Sequence, residues 1–543
     1  MHSVTTLDWA VLSLYMLALV GIAAYHSRNI HTQDDYFLAS RSMSKWPIAL
    51  SMYVALFSTN SLIGVIGWLN RPNGTIWIGL QNIGIILSVP FVIRLYPSIF
   101  FKLRITTAYE YLEKRFSYGV RGFASILFLA SRVMWMSTML YATSLLVTPM
   151  VGWSVRPGEW GGDHWSILLV GVLGVFFALA GGMHAVIWTD VVQFFVLFGG
   201  ALGMAITAAY NAGGFGQVME TASAAGKFTI PPFFSWTEEL SITSGLCLGF
   251  FAYLSSAGAD QIVLQSYLSA KSDEEAKKSL FRNGMFLKPL SLIFPLIGVL
   301  LFVYYQSHPH QASLMKIPDD ALPVFVTQVM PAGFRGLIVA AILSAVLTSL
   351  SSGLAALSAC SQVDFLQRWR NLPFTDAGTV AWARTFTLFW GCSIVGGAYF
   401  VKILGQNSSI IQILNLVMYP FSGVLLGIFL LGLLTVRANV PGVLIGAITG
   451  FLFTISLSVC AAGMIVPDTY SIAIPQSLRE IIVVMGGVSS FYYGAFGTLV
   501  TFFTGYVASH FFSSPSRSTL VGLSHAASPH PYFSKPRNAL AGE

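Results

Sequence analysis

The stretch SMYVALFSTNSLIG, residues 51–64, lies inside an apolar run long enough to cross a bilayer, yet Ser58, Thr59, Asn60 and Ser61 fall side by side at its middle. Broken backbone at that depth is tolerated only where it lines a cavity. The pattern returns about 200 residues later in FFAYLSSAGADQ (250–261), where Ser255, Ser256, Gly258 and Asp260 interrupt another apolar run. The two breaks are five spans apart. Interruptions at corresponding places in two five-helix halves are the sequence sign of an inverted-repeat transporter, whose unwound carbonyls can coordinate a cation. Small residues that let helices pack closely would account for either break singly. The matched placement favours the transporter.

Composition points the same way. Of 543 residues, 55% are hydrophobic and 9% charged, where a soluble domain carries about 25% charged residues. Apolar runs of roughly 20 residues recur along the chain, each able to span the hydrocarbon as a helix. Short alternating strands are absent, which disfavours a β-barrel. The first run begins near Leu7 without a cleavage pattern after it, so it reads as a retained helix. The net charge of +7 comes from basic residues in short loops, which argues against a nucleic-acid partner. Cys247, Cys360, Cys392 and Cys460 lie in apolar segments and read as small core residues, not as a disulfide framework or a metal site.

Thirteen spans are expected, near 7–26, 47–69, 75–100, 121–151, 164–181, 186–211, 241–262, 285–305, 335–360, 380–401, 409–433, 439–463 and 482–511. With the amino terminus outside, 19 basic residues fall on the inner side and 7 on the outer. The positive-inside rule therefore predicts a cytoplasmic carboxyl terminus. Residues 512–543, rich in Ser, Pro and His, read as a mobile cytoplasmic tail.

The ninth span carries AILSAVLTSLSSGLAALSAC (341–360), with hydroxyls at Ser344, Thr348, Ser349, Ser351, Ser352 and Ser358. At 100° per residue, Ala345, Thr348, Ser349 and Ser352 share one face and Ser351 sits at its edge. Hydroxyls and carbonyls are the oxygen ligands a hard cation needs. A small-residue packing face is the competing reading. Asp190, in GGMHAVIWTDVVQ (181–193), lies at the inner end of the sixth span, where a carboxylate needs a partner or a cation. Arg132 either packs structurally or pairs with a substrate anion, since a guanidinium suits a carboxylate. Lys288 reads as snorkelling or structural. His184 falls in a short turn and is assigned no role.

These residues resemble a known family. DDYFLASRSMSKWPIALSMYVALFSTNSLIG (34–64) is similar to the signature of the sodium:solute symporter family. ITTAYEYLEKRFS (105–117), GGMHAVIWTDVVQ (181–193), DQIVLQSYLSAKS (260–272), the hydroxyl helix running on to SQVDF (361–365) and FLLGLLTVRAN (429–439) resemble family motifs in the expected order. The resemblance covers roughly residues 7–511. It implies an all-α membrane protein with a LeuT-like 5+5 inverted repeat, one leading helix and two trailing ones. The division would be 1–46 for the leading helix and its loop, 47–240 and 241–433 for the two repeats, 434–511 for the trailing helices and 512–543 for the tail.

The resemblance also implies ligands. A principal sodium site would use Val54, Phe57, Ala345, Thr348 and Ser349. A second, sharing Thr348, would use Asp190, Ser351 and Ser352. Solute positions would fall on Ser58, Asn60, Ser61, Gln81, Arg132, Tyr253, Ser256 and Asn415. The acidic residue expected in sugar-transporting members appears as Gln81. Their Glu-Gln pair appears as Asn60-Ser61, their aromatic inner gate as Ser256, and the usual Asn after the hydroxyl motif as Ala355. These departures point away from hexoses. An arginine on core helix three resembles members that carry carboxylates, such as monocarboxylates or sialic acid.

The expected function is sodium-coupled import of a small organic anion by alternating access, from a plasma or inner membrane, by a chain that works as a monomer. A sodium/sugar symporter is the alternative. A sensor that keeps the fold without transport and a uniporter or passive channel are readings of other classes. An intramembrane enzyme is disfavoured, because no His-Glu-x-x-His or Gly-x-Gly-Asp pattern is present.

Overall fold

The computed structural model describes residues 5–27, 32–57, 59–150, 162–315, 317–370, 376–404, 410–465, 483–516 and 520–526. The helix α1 (Thr6–Ser27) leads. The second span is two helices, α2 (Lys45–Leu56) and α3 (Thr59–Leu69). Then come α4 (Leu80–Leu95), α5 (Tyr118–Met150) and α6 (Gly162–Asn211). The seventh span is again two pieces, α7 (Ile242–Ala259) and α8 (Gln261–Leu268). They are followed by α9 (Ile293–Ser307), α10 (Phe334–Cys360), α11 (Asp376–Leu404), α12 (Ile410–Leu434), α13 (Val440–Ile465) and α14 (Tyr493–Ala508). No strand occurs among the described residues; Met43 and Ala270 form an isolated bridge.

Among the described residues, nine helices are long and apolar enough to cross a membrane, with His164–Leu179 and Pro420–Leu434 as shorter apolar ones. The broken α2–α3 pair and α14 account for the remaining expected spans. The chain is a multi-pass membrane protein. Its fifth and sixth spans run together as α6 but are separated at Gly182, whose φ of 54° and ψ of −173° only glycine adopts easily. His184 follows that turn and stacks on His26 of α1, with ring centroids 4.7 Å apart.

Burial ranks the helices. The most apolar window of α10 is 94% buried, that of α1 only 22%. The hydroxyl helix is therefore the centre of the bundle, packed mainly on α6, and α1 rides at the edge on α6 and α10. Small side chains suit such a position because they let neighbouring backbones approach. The trailing helices show the extreme case. A Cβ at Gly446 of α13 would lie 2.5 Å from the Thr501 carbonyl oxygen and 2.6 Å from Gly505 Cα of α14; one at Gly423 of α12 would lie 2.5 Å from the Gly494 oxygen.

One end of the bundle is locked by a buried carboxylate. Asp364, in the π-helical turn Ser361–Leu366 that follows α10, is fully buried. It accepts from Thr107 Oγ1 (2.6 Å), Arg121 Nε (2.9 Å) and Nη2 (2.6 Å), and Ser125 Oγ (2.8 Å). Arg121 also donates to Glu113 (2.6 Å), and Arg368 lies 3.2 Å from the other oxygen of Glu113. Thr107 and Glu110 form the capping box of the helix Ala108–Arg115. Sequence segments around residues 107, 121 and 364 are thus tied at one point.

The opposite end carries an open groove of about 940 Å³, bordered by Trp68, Arg71, Thr75, Thr229 and Glu239. Beside it Lys227 is only 1% exposed. Its ammonium donates to the Arg71 carbonyl (2.7 Å) and lies 4.1 Å from the Phe302 ring centroid. Burial pulls its pKa from 10.5 down to about 8. A lysine lowered in this way keeps its full charge-burial cost below pH 8. As pH climbs from about 8 to 10.5 the unfolded chain binds more protons than the folded one, so folding stability rises. Melts of wild type and Lys227→Met should differ by a constant amount below pH 8, with wild type gaining on the variant between pH 8 and 10.5. A pH-independent difference would remove Lys227 from this role.

Candidate functional site

The first break is the C-terminus of α2. Phe57 turns to extended backbone (φ −87°, ψ 102°), and its N–H donates to Tyr53 and Val54 oxygens at 3.1 and 3.0 Å. Helix α10 crosses this point. Ser349 Oγ donates to the Ala55 carbonyl at 3.1 Å, between the two carbonyl positions expected at Val54 and Phe57. Val54, Phe57, Ala345, Thr348 and Ser349 are all buried. One hydroxyl of α10, that of Ser349, thus meets a carbonyl oxygen in the last turn of α2, beside the break.

Asp190 of α6 is fully buried at the same level. One oxygen accepts a hydrogen bond from Ser51 Oγ of α2. Thr348 Oγ1 faces the same carboxylate but closes no hydrogen bond of ordinary geometry with any described group, and neither do Asp190 Oδ1 and Ser352 Oγ. Leaving buried oxygens unsatisfied is costly. The Asp190 carboxylate and the Thr348 hydroxyl facing it are the oxygen ligands that sodium, a hard ion, takes, so this donor set fits it.

Ser351 behaves differently. Its hydroxyl donates to the Thr348 carbonyl (3.0 Å) and borders a cavity of about 10 Å³ with Ala23, Thr189 and Gln193, on the α1 side of α10. Ser51 is the residue that sequence reasoning missed. Its signal was present: it precedes Val54 by three residues and so shares a helix face with it.

The expected solute residues are not all together. Arg132 of α5 is buried in an ion pair with Asp260, its guanidinium 4.9 Å from the Trp135 ring centroid and 5.8 Å from that of Phe128. Asp260 breaks the seventh span. Its Oδ1 accepts from Ile262 N–H at 3.0 Å and so caps α8. The adjoining cavity, about 20 Å³, is bordered by Ser131, Ser255, Met418 and Ser422 among others, which is room for roughly one water. Ser255, not Ser256, is thus the hydroxyl near Arg132, and it donates to the Ser422 carbonyl (2.9 Å). Ser256 is half-buried.

Tyr253 faces elsewhere: its hydroxyl lies 3.0 Å from the Leu280 oxygen and 3.2 Å from Asn283 Oδ1. Gln81 is half-buried in α4, its carbonyl so close to α7 that a Cβ at Gly249 would lie 1.8 Å away. Ser58 and the side chains of Asn60, Ser61 and Asn415 lie outside the described residues. Lys288 is half-buried, with its ammonium 5.0 Å from the Tyr53 ring centroid.

Two broken spans, a central hydroxyl helix and a buried carboxylate beside the first break define a cation-coupled transporter of inverted-repeat architecture. Residues 36–450 match the profile of the sodium:solute symporter family, more than half of the chain. The chain belongs to that family. It is similar to the sodium/sialic acid symporter NanT of Aliivibrio fischeri, 29% identical over 516 residues that cover 94% of this chain and 95% of that one. It is also similar to the sodium/sialic acid symporter SiaT of Proteus mirabilis, 30% identical over 454 residues, 83% of this chain and 89% of that one. A solved substrate-bound, outward-open Na⁺-coupled sialic acid symporter superposes with a TM-score of 0.80 at 26% identity, over 94% of this chain and 98% of that one. The fold is LeuT-like, a 5+5 inverted repeat with one leading helix and two trailing ones.

Proposed function

We propose that this chain imports a small organic anion of the sialic-acid or monocarboxylate kind, driven by sodium. The observation that carries the reading is the set of buried oxygens where α10 and α6 meet α2: Ser349 on the Ala55 carbonyl, and Asp190 between Ser51 and Thr348. Sodium held there joins α10 to the first break and favours one arrangement of the two halves. Solute binding then shifts the population toward occlusion and inward release, which requires that the ion bind the states unequally. Val54, Phe57, Ala345, Thr348 and Ser349 form the principal sodium site, and Asp190 with Ser352 and the shared Thr348 a second. Ser351 joins the second only by turning from its own helix carbonyl. Each sodium entering gains about 2.3 kcal/mol per 100 mV of membrane potential.

Arg132 is the carboxylate receptor with Ser255 beside it, and Ser58, Asn60, Ser61, Gln81, Ser256 and Asn415 are the remaining solute positions. The cavity beside Arg132 admits about one water, so a solute carboxylate takes the guanidinium only as Asp260 leaves it. That exchange keeps the Arg132 guanidinium paired, while Asp260, still capping α8 through the Ile262 N–H, must take up a proton or water as it leaves, because an uncompensated buried carboxylate is costly. Tyr253, engaged with residues 280 and 283, acts on the solute only through helix position.

Residues 47–240 and 241–433 are the two repeats, after a leading segment 1–46 and before trailing helices in 434–511 and a tail from 512. The protein sits in the plasma or inner membrane with its amino terminus outside and its carboxyl terminus cytoplasmic, as the charge bias supports, and works as a monomer. It is a carrier, not an enzyme.

Uptake into proteoliposomes tests the reading. An inward sodium gradient should drive accumulation of radiolabelled sialic acid or lactate, and replacing sodium with potassium should abolish it. Sodium-dependent uptake of glucose alone would favour the sugar alternative. Sodium-dependent thermal stabilisation with no uptake of any solute would favour a sensor.

A further inference from the structure

Helix α1 stands outside the paired five-helix halves. Its Tyr15, Leu19 and Ala23 pack with Phe177 and Ala185 of α6 and with Ala340 and Leu347 of α10, in a hydrophobic cluster separate from the main core. At its start the contact is polar. Asp8 is 1% exposed. Its Oδ1 accepts from the backbone N–H groups of Gly333 (2.7 Å) and Gly336 (2.8 Å), and its Oδ2 is held by Thr5 through N–H (3.0 Å) and Oγ1 (2.7 Å).

Gly333 is the N-cap of α10 and has no side chain to cap its own helix. A carboxylate from another helix performs that task, satisfying two N–H groups that the helix leaves open and placing negative charge at its positive end. The fit requires both glycines. Gly333 has φ +85°, and a Cβ at Gly336 would lie 2.6 Å from the Asp8 carbonyl oxygen.

We infer that Asp8 is a positioning residue for sodium coupling: it fixes the axial height of α10, and with it the height of Thr348 and Ser349 against the end of α2. The inference rests on the symport reading above. Thr348 follows Gly336 by twelve residues, about 18 Å at 1.5 Å per residue. A helix this deeply encased moves as a rod, so slippage at the capped end arrives undiminished at the hydroxyls. Ligand distances around an ion tolerate about 0.2 Å. A slip of 1 Å therefore spoils the site without unfolding anything.

The test is a sodium titration of the purified full chain in detergent, read as thermal stabilisation, with choline holding ionic strength constant. Asp8→Ala should raise the half-maximal sodium concentration about tenfold. Asp8→Asn keeps an acceptor oxygen for both N–H groups and should stay within about threefold. Leu14→Ala, on the lipid-facing side of α1 (72% exposed), should change nothing. If wild type shows no sodium dependence, the symport reading itself fails. If wild type responds to sodium and Asp8→Ala keeps the same half-maximal concentration, with only a lower baseline melting temperature, Asp8 is a purely structural pin and the inference is overturned. Should Asp8→Ala not fold, Thr5→Ala, which loosens the carboxylate, takes its place. A rise of about threefold is expected there, and an unchanged midpoint in Thr5→Ala overturns the proposal equally.

Discussion

Thr348→Val is expected to raise the sodium concentration for half-maximal uptake by at least about tenfold, a loss near 1.4 kcal/mol of ion binding. Valine reproduces the shape of threonine, so the buried packing of α10 survives and only an oxygen is lost. That oxygen is the one both proposed sodium sites share, and it faces Asp190. Thr348→Ser, which keeps the oxygen, should stay within about twofold. Ser349→Ala removes the hydrogen bond to the Ala55 carbonyl and about 1 kcal/mol of net stability, so its sodium effect should come with a lower melting temperature, whereas that of Thr348→Val should not. Uptake at saturating solute, with sodium replaced stepwise by choline, distinguishes the variants. A sodium curve for Thr348→Val that overlays wild type would remove Thr348 from the ion's coordination shell.

Arg121→Ala should destabilise the protein by about 3–5 kcal/mol, because it leaves Asp364 buried without a counter-charge. Thr107 and Ser125 still donate to that carboxylate, but hydroxyls do not neutralise it. The effect should appear as a large fall in apparent melting temperature in detergent and in poor recovery of folded protein. The double variant Arg121→Met/Asp364→Leu should regain most of the loss, since replacing a whole buried pair by apolar side chains of similar volume is often neutral. If Arg121→Ala melts at the wild-type temperature, the pair is hydrated and does not lock that end of the bundle.

The architecture was legible because its signals are periodic or local. Apolar runs located the spans, and the polar cluster after Phe57 located the first break. The short gap between the runs 164–181 and 186–211, which holds His184, located the turn that divides α6. The seventh-span break was read as a zone from Ser255 to Asp260; the helix actually stops at Asp260 alone, because that side chain caps the next helix. Tertiary partners were the part that could not be read. Nothing local to Arg132 says that Asp260, 128 residues away, neutralises it, or that Asp364 awaits Arg121. Tyr253 was expected near the solute from its helix and family position, yet it lies about 200° around α7 from Ser255 at 100° per residue. The orientation of Ser351 was undecided for a related reason: it sits at the edge of a face, where a small rotation of the helix decides which neighbour it meets.

The glycine contacts of α12, α13 and α14 bear on how the moving parts could be measured. Where backbones touch without intervening side chains, no rotamers can rearrange to let one helix slide past another, so this corner is a natural reference frame for distance measurements by spin or fluorescent labels. An exposed position on α14 such as Leu499 (42% exposed) offers a fixed benchmark, against which labels on α2 or α8 would report displacement directly. Any such labelling must first remove Cys392, an exposed free thiol on α11 that would otherwise take up the probe.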